Sequence, residues 1–277
     1  MKKNIIKIAA IVVSVAFVCI VLFFANAFFG NPVSKALATS TAEKHLTETY
    51  KNTDYYIDGV RFNFKTGDYH AFIKSPSSID TKFSLYLTMW GKLRLDTYDD
   101  VVNRFTTAQR LDTEYRELAE AVFKSEKFPY SCSISFGSIE IHPEEYIDSG
   151  YDDIPGYAIN QKELELDKIY DVNELGRRAG KLVIYVDSDT VTAEKAAEVM
   201  LEIKSFFDAE GVSFAALDFV LQHPKPEEGM RSDEEVRVEN FLYGDINEDN
   251  LTDRVVEADR VLREKYEKMD KEAEKLS

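Results

Sequence analysis

An α+β protein is expected: one N-terminal transmembrane helix followed by two small α+β domains, a helix packed on an antiparallel sheet and then a βαββα-type sandwich. Three features of the 277-residue chain lead there. An uncharged apolar run occupies residues 8–29. Apolar and polar residues alternate in short segments between residues 56 and 97, the period of half-buried strands. Apolar residues then recur every three or four positions after residues 99, 192 and 245, the period of amphipathic helices. The expected divisions are residues 1–30, 31–127 and 128–277, with the inter-domain boundary near residues 125–129, where Pro129 follows a long helix.

The N-terminal run, "IAAIVVSVAFVCIVLFFANAFF", exceeds the roughly 20 residues that a helix needs to cross a bilayer core. Lys2, Lys3 and Lys7 precede it, so the N-terminus is expected in the cytoplasm and the remainder outside, a single-pass cell-membrane protein. The rival reading is a signal peptide cleaved after Ala27, in "ANA". Signal cores run about 7–15 residues, shorter than this segment, which favours an uncleaved anchor. The formal net charge is -16. Residues 1–30 hold three lysines and no acid, so the remaining 31 basic and 50 acidic residues leave the body at -19. Such a body repels nucleic acid, and the membrane is the expected partner, with an envelope protein or wall ligand as a further one.

In the first domain, "NPVSKALATSTAEKHLTETY" is expected as a helix opened by Pro32, with Val33, Ala36, Leu37 and Leu46 as its apolar stripe. "GVRFNFKTG" and "DYHAFIKS" alternate on either side of Thr66-Gly67 and form a hairpin. "TKFSLYLT" buries Phe83, Leu85 and Leu87, and "KLRLDTY" is a fourth strand beyond Gly91. From Asp99, the residues Val101, Phe105, Ala108, Leu111, Tyr115, Leu118 and Val122 mark one amphipathic helix, or two with a break near Thr113.

In the second domain, Tyr130, Cys132, Ile134 and Phe136 alternate with serines and suggest a strand with those four on its buried face. Residues 143–170 carry Pro143, Gly150, Pro155 and Gly156 and are expected mostly as loop. "KLVIYVD", residues 181–187, is expected as a central strand covered on both faces. Residues 192–211 are the clearest helix, with Ala196, Val199, Met200, Ile203 and Phe207 as its stripe and Gly211 as its stop. Two further strands and a long charged helix, striped by Leu251, Val255, Ala258, Leu262, Tyr266 and Met269, close the chain.

Catalytic signatures are scarce. There is no G-x-S-x-G, H-E-x-x-H, phosphate-binding glycine loop or C-x-x-C. His45, His70, His142 and His223 lack ligand spacing, and His70 reads as an ordinary strand residue. "SPSSID", residues 75–80, reads as a turn before a serine nucleophile. The acid pairs Glu144/Glu145 and Asp152/Asp153 read as solvated loop rather than a glycosidase pair. Trp90 is either a ligand platform or a sheet cap. Cys132, the only cysteine beyond the apolar run, has no disulfide partner and reads as a small buried hydrophobe. No catalytic, cofactor-binding or metal residue is therefore assigned.

"DINEDNLTD", residues 245–253, resembles a calcium loop in placing Asp245, Asn247, Asp249 and Asp253 at alternate positions. Asn250 stands at the sixth position, where such loops use Gly, and Val256 stands at the twelfth, where they need a bidentate Glu. The competing account is a helix start, with Asp245 and Glu248 at capping-box spacing. The second is favoured, and a weak cation site remains the alternative.

The stretch from Gly30 to Tyr86, "GNPVSKALATSTAEKHLTETYKNTDYYIDGVRFNFKTGDYHAFIKSPSSIDTKFSLY", resembles the YfjL-like family of single-pass extracytoplasmic proteins of Gram-positive bacteria, most closely through "VxFNFKTGxYxAxIxSPSSIDTxF". The resemblance implies a location and a two-domain plan but no site residues. The helix-plus-hairpins layout is also similar to small PepSY and cystatin-like modules. Together these readings imply a non-catalytic binding, regulatory or scaffolding module at the cell envelope. The alternative is an envelope enzyme, or an inhibitor of one, that uses carboxylates the sequence does not single out.

Overall fold

In the computed structural model, residues 2–148, 154–226 and 229–276 are described. The chain divides into two units, Met1–Thr106 and Thr107–Ser277. The architecture is mixed α+β with a long apolar helix at the N-terminus, as the patterning implies.

Helix α1 spans Lys2–Phe29. Among the described residues, one helical stretch, beginning at Ile11, is long and apolar enough to cross a membrane, and none of that stretch is buried by the protein. Gly30, at φ 69°, ends α1 in the left-handed conformation that glycine adopts freely. Helix α2, Pro32–Thr49, starts at once: the Asn31 side chain accepts the Ser34 N–H at 2.8 Å, and Pro32 fills the first turn, where no N–H is needed.

The buried face of α2 differs from expectation. Ser34, Ala38 and Ala42 are buried, whereas Val33 is 70% and Leu37 45% exposed. Small side chains spaced by four let the helix backbone lie close to the sheet, so the large apolar residues turn outward. The sheet is an antiparallel meander in the order β1 (Tyr56–Asn63), β2 (Asp68–Lys74), β3 (Lys82–Leu87) and β4 (Leu93–Asp96). The expected hairpin forms, with Asn63 opposite Asp68 and Gly67 at φ 71° in the loop. Val60, Tyr69, Ala71, Ile73, Phe83, Leu85 and Leu87 make the inner face.

The second amphipathic stretch breaks at Asn103–Arg104, not at Thr113. Helix α3 covers Asp99–Val102, Arg104 takes φ 68°, and α4 runs without interruption from Phe105 to Phe123. The inter-unit division at 106/107 falls in the first turn of α4, whereas the sequence places the boundary at 125–129. The reason is the packing of α4: Tyr115, Ala119 and Val122 join the core of the second unit.

That second core is laid on a four-stranded sheet of order β10-β9-β8-β5, comprising β5 (Cys132–Ile139), β8 (Gly180–Asp187), β9 (Ala216–Gln222) and β10 (Glu235–Leu242). β8 and β9 are parallel and joined by helix α7 (Ala193–Glu210); the other pairs are antiparallel. α7 is built as its sequence implies. Thr192 caps it by accepting the Lys195 N–H at 3.2 Å, Gly211 at φ 72° ends it, and Ala196, Val199, Met200, Ile203 and Phe207 are buried. Between β5 and β8 lie β6 (Ile141–His142), α5 (Glu144–Asp148), β7 (Ile159–Asn160) and α6 (Val172–Ala179). Helix α8, Leu251–Leu276, completes the chain.

Two strand expectations are corrected. β5 has a register irregularity between Cys132 and Ile134, which shifts the alternation, so that Gly137 and Ile139 are buried and Ile134 is exposed. β8 is central but not doubly covered: Leu182, Ile184 and Val186 are buried, while Lys181, Val183, Tyr185 and Asp187 face a half-buried, polar side. Helices α4, α6, α7 and α8 all feed the one core on the opposite face.

Tyr115 organises that core. It is fully buried, and its hydroxyl donates to Ser213 O at 2.9 Å. Three glycines surround its ring: a methyl group added at Gly137, Gly176 or Gly180 would lie 2.9, 2.4 or 2.6 Å from a Tyr115 atom. Gly176→Ala would also meet the Ser213 carbonyl at 2.6 Å, a backbone atom that cannot swing away. Overpacking of this kind costs about 1–3 kcal/mol. Urea unfolding of the detergent-solubilised chain, followed by circular dichroism, should show that loss for Gly176→Ala. Gly244→Ala, in open space, should leave the curve unchanged.

Candidate functional site

The "DINEDNLTD" loop is organised by an arginine. α8 begins at Leu251, not at Asp245, which closes a short 3-10 turn over Tyr243–Asp245. Asn250 takes φ 51° just before the helix. The Arg254 guanidinium reaches back from the first turn of α8 into the loop. It donates to Asn247 O at 3.2 Å, Asn247 Oδ1 at 2.8 Å and Asp249 O at 2.6 Å, and lies 3.8 Å from Asp245 Oδ1. Two of the side-chain oxygens that would face a calcium ion, Asn247 Oδ1 and Asp245 Oδ1, thus face a guanidinium of the chain itself. The capping-box account fails for a related reason: Asp245 sits too far upstream to meet the free N–H groups of a helix that starts at Leu251.

Beside this loop, α8 lies along β10, the edge strand. The Arg237 N–H donates to Asp259 Oδ1 at 3.0 Å, and Arg263 Nη2 donates to Glu235 O at 2.5 Å, so α8 side chains satisfy edge groups that a free strand would expose. Next to these contacts is a groove of about 550 Å³. Phe241, Ala258, Val261 and Leu262 form its apolar floor, and Glu239, Asp245, Asp253 and Glu257 stand against Arg254 and Lys265 on its rim. Val261 is 50% exposed within it. The stripe expected on α8 is buried at Leu251, Val255 and Leu262 but open at Tyr266 and Met269, beyond the end of the core.

A second cluster lies on the polar face of the second sheet. Lys181 bridges two carboxylates, pairing with Glu140 and standing 3.6 Å from Asp218. Glu140 also meets His142 Nε2 at 2.7 Å, and Asp218 Oδ1 accepts the Asn240 N–H at 2.6 Å. Burial alone would raise the Glu140 pKa, but its bonds from Lys181 and His142 hold it below the usual glutamate value. Burial dominates at Asp218, whose pKa lies above the usual aspartate value. Tyr157, whose hydroxyl donates to Asn240 Oδ1 at 2.7 Å, is pushed up by burial and by these two carboxylates. The cluster brings together acids that spacing alone did not single out, because residues 140, 181 and 218 converge only through sheet pairing.

The remaining candidates are separate. Ser75 is buried in the β2–β3 turn and donates to Asp54 Oδ1 at 2.6 Å, and Ser78 donates to Thr81, so "SPSSID" is a hydrogen-bonded turn. His45 meets Asp96 at 2.7 Å, His223 meets Glu234 at 3.2 Å, and His70 of β2 packs tilted against Tyr86 of β3 with its pKa lowered by burial. Glu144 pairs with Lys162 at the start of α5. Asp152 and Asp153 lie outside the described residues. Cys132 is half-buried, and burial followed by the charge of Asp187 pushes its thiol up to about 11, which suits a packing role rather than a nucleophile. Trp90 is 81% exposed on the β3–β4 turn and caps nothing.

The loop geometry separates two variants. Arg254→Ala removes three hydrogen bonds to two neighbouring loop residues and should lower stability by about 1–3 kcal/mol. Asp245→Ala removes one long, exposed ion pair and should cost about 0–1 kcal/mol. Thermal melts of both variants with calcium and with magnesium at equal ionic strength test the reading. A calcium-selective gain in the wild type that Asp245→Ala abolishes would contradict it.

Comparisons with known proteins place the chain. The YfjL-like N-terminal domain matches residues 2–97, and the YfjL-like C-terminal domain matches residues 114–256, so the unit division falls in the interval between them. No curated protein matches. A solved structure of a DUF5037 family protein from Ruminococcus gnavus ATCC 29149 is similar at 15% identity, over 67% of this chain and 74% of that one, with a TM-score of 0.20. A structural likeness that weak carries no argument about architecture or activity. The two matched domains together decide the identity: the chain belongs to the YfjL-like family.

Proposed function

We propose that the chain is a membrane-anchored, extracytoplasmic, non-catalytic binding module of the cell envelope, which takes a basic, amphipathic segment of a partner protein into the groove between α8 and β10. The observation that carries this reading is the groove itself: an apolar floor with half-exposed Val261, under a rim on which four acids face two bases. An apolar floor supplies affinity, and an acidic rim selects basic partners and speeds their approach. Lys2, Lys3 and Lys7, in the first turns of α1 ahead of its apolar run, support a cytoplasmic N-terminus, which puts the acidic body outside.

The enzyme reading draws on Glu140 and Asp218. It is the weaker one, because both carboxylates already face Lys181, and His142 and the Asn240 N–H take further acceptor positions. Acid–base catalysis needs a carboxyl group free to exchange a proton with substrate.

Two measurements test the proposal. Protease added to intact, wall-stripped cells should digest the body; a protected body would contradict the topology. A photo-crosslinking residue at Val261 should trap a partner in intact cells, and Asp253→Lys with Glu257→Lys should abolish that adduct. Absence of any adduct, or one indifferent to the charge reversal, would contradict the groove assignment.

A further inference from the structure

The end of the first sheet that adjoins α1 is basic, although the chain is acidic. Strand register fixes which residues share that end. Phe62 pairs with Tyr69, Tyr69 with Leu87 and Leu87 with Leu93, so the β1–β2 loop, residues 64–67, and the β3–β4 loop, residues 88–92, project from the same edge of the sheet. α1 ends at that edge. The Tyr69 hydroxyl donates to Asn31 O at 3.0 Å and accepts the Asn31 N–H at 2.8 Å, and the Phe28 ring lies 6.2 Å from that of Phe64.

Lys35, Lys65, Lys92 and Arg94 belong to this end, whereas the Arg61 guanidinium leans away from it over the Phe72 ring, 5.4 Å from the centroid. Its acid, Asp68, is engaged by Arg94 at 2.8 Å. Among the described residues, no ion pair engages Lys35, Lys65 or Lys92. Large apolar side chains stand open beside them: Phe29, Val33, Phe64 and Trp90 are all exposed. At the junction lies a cavity of about 460 Å³, lined by Phe29, Pro32, Lys35, Arg61, Phe62 and Tyr69. Lys35 thus stands beside the last apolar turn of α1.

Aromatic rings with an apolar body and Lys or Arg stems with a charged tip are the side chains that settle at a bilayer interface. Basic residues next to a span attract anionic headgroups across a distance of about one Debye length. We propose that this end of the first unit rests on the bilayer and binds the headgroup phosphates of anionic lipids through Lys35, Lys65 and Lys92, with Trp90 and Phe64 seated in the interface. The acidic remainder of the chain is repelled by the same surface, so the charge asymmetry favours one orientation. The inference rests on the reading of α1 as a membrane span.

Trp90 is the single tryptophan, so its emission reports on this contact without labelling. The full chain is reconstituted into vesicles of phosphatidylcholine alone or mixed with phosphatidylglycerol, with and without brominated acyl chains. In mixed vesicles Trp90 should emit at shorter wavelength and be quenched by bromine several-fold more than in neutral ones. Lys35→Gln with Lys65→Gln and Lys92→Gln should remove that difference while the thermal melt is preserved. Protein that resists alkaline extraction but keeps water-like Trp90 emission overturns the lipid contact and leaves the anchor standing. Protein stripped by alkali overturns both. Quenching unaffected by the triple variant overturns the headgroup contact of Lys35, Lys65 and Lys92. A response to inorganic phosphate in neutral vesicles overturns it in favour of a soluble anion.

Discussion

The second unit depends on one aromatic ring held among three glycines. Tyr115 enters the core from α4, and Gly137 of β5, Gly176 of α6 and Gly180 of β8 each leave room for it by having no side chain. Its hydroxyl would be costly to bury unbonded, and Ser213 O, in the segment between α7 and β9, accepts it. One side chain thus ties four elements and a connecting segment that are distant in sequence. This is why α4 is part of the second core rather than a flank of the first, and why the chain divides at the start of α4 rather than after it.

Around that core, the acidic residues serve largely as internal acceptors. Asp259 receives an edge N–H of β10, Asp218 receives the N–H of Asn240, Asp112 receives the N–H of Ile139, and Asp171 caps α6 through the N–H groups of Asn173 and Glu174. Charge-assisted bonds of this kind are stronger than neutral ones and place the carboxylate where a backbone donor would otherwise be left without a partner. Arg254 plays the converse part, drawing the carbonyls of a tight loop onto a guanidinium. Four further acids, Glu239, Asp245, Asp253 and Glu257, line the α8–β10 groove, while Lys35, Lys65, Lys92 and Arg94 lie at the end of the first sheet next to α1. A single acidic average over the whole chain conceals both.

Much of this plan is legible in the sequence, and the exceptions have physical causes. The apolar segment, the β1–β2 hairpin, β3 and both ends of α7 follow from local chemistry: composition, turn glycines, a Thr cap and a left-handed stop. The face of α2 is not legible from hydrophobicity, because close approach to a sheet selects Ser34, Ala38 and Ala42 over larger apolar residues. The face of β5 is lost because a single register irregularity inverts alternation. The break at Arg104 needs a non-glycine residue at positive φ, which no pattern announces. α6 had a local signal, Asp171 with Glu174 at capping spacing, within a segment whose turn residues pointed to loop. The Glu140–Lys181–Asp218 cluster and the α8–β10 groove had none, since each is assembled by strand order. The unit boundary is of the same kind: the helical period identifies α4 as a helix, but the glycines that receive Tyr115 are more than twenty residues away.

The central claim is that α4 and the second sheet form one cooperative structure through Tyr115. Native-state hydrogen exchange on the full chain, as a function of denaturant, tests it most directly, because amides that open together share both protection and denaturant dependence. The account predicts that the amides of Leu111–Val122 exchange with those of β8 and β9, and that Tyr115→Phe, which removes the bond to Ser213, lowers the protection of all three together. Amides of α4 that instead open with β2 and β3, or that lose protection in Tyr115→Phe while β8 keeps its own, would contradict it.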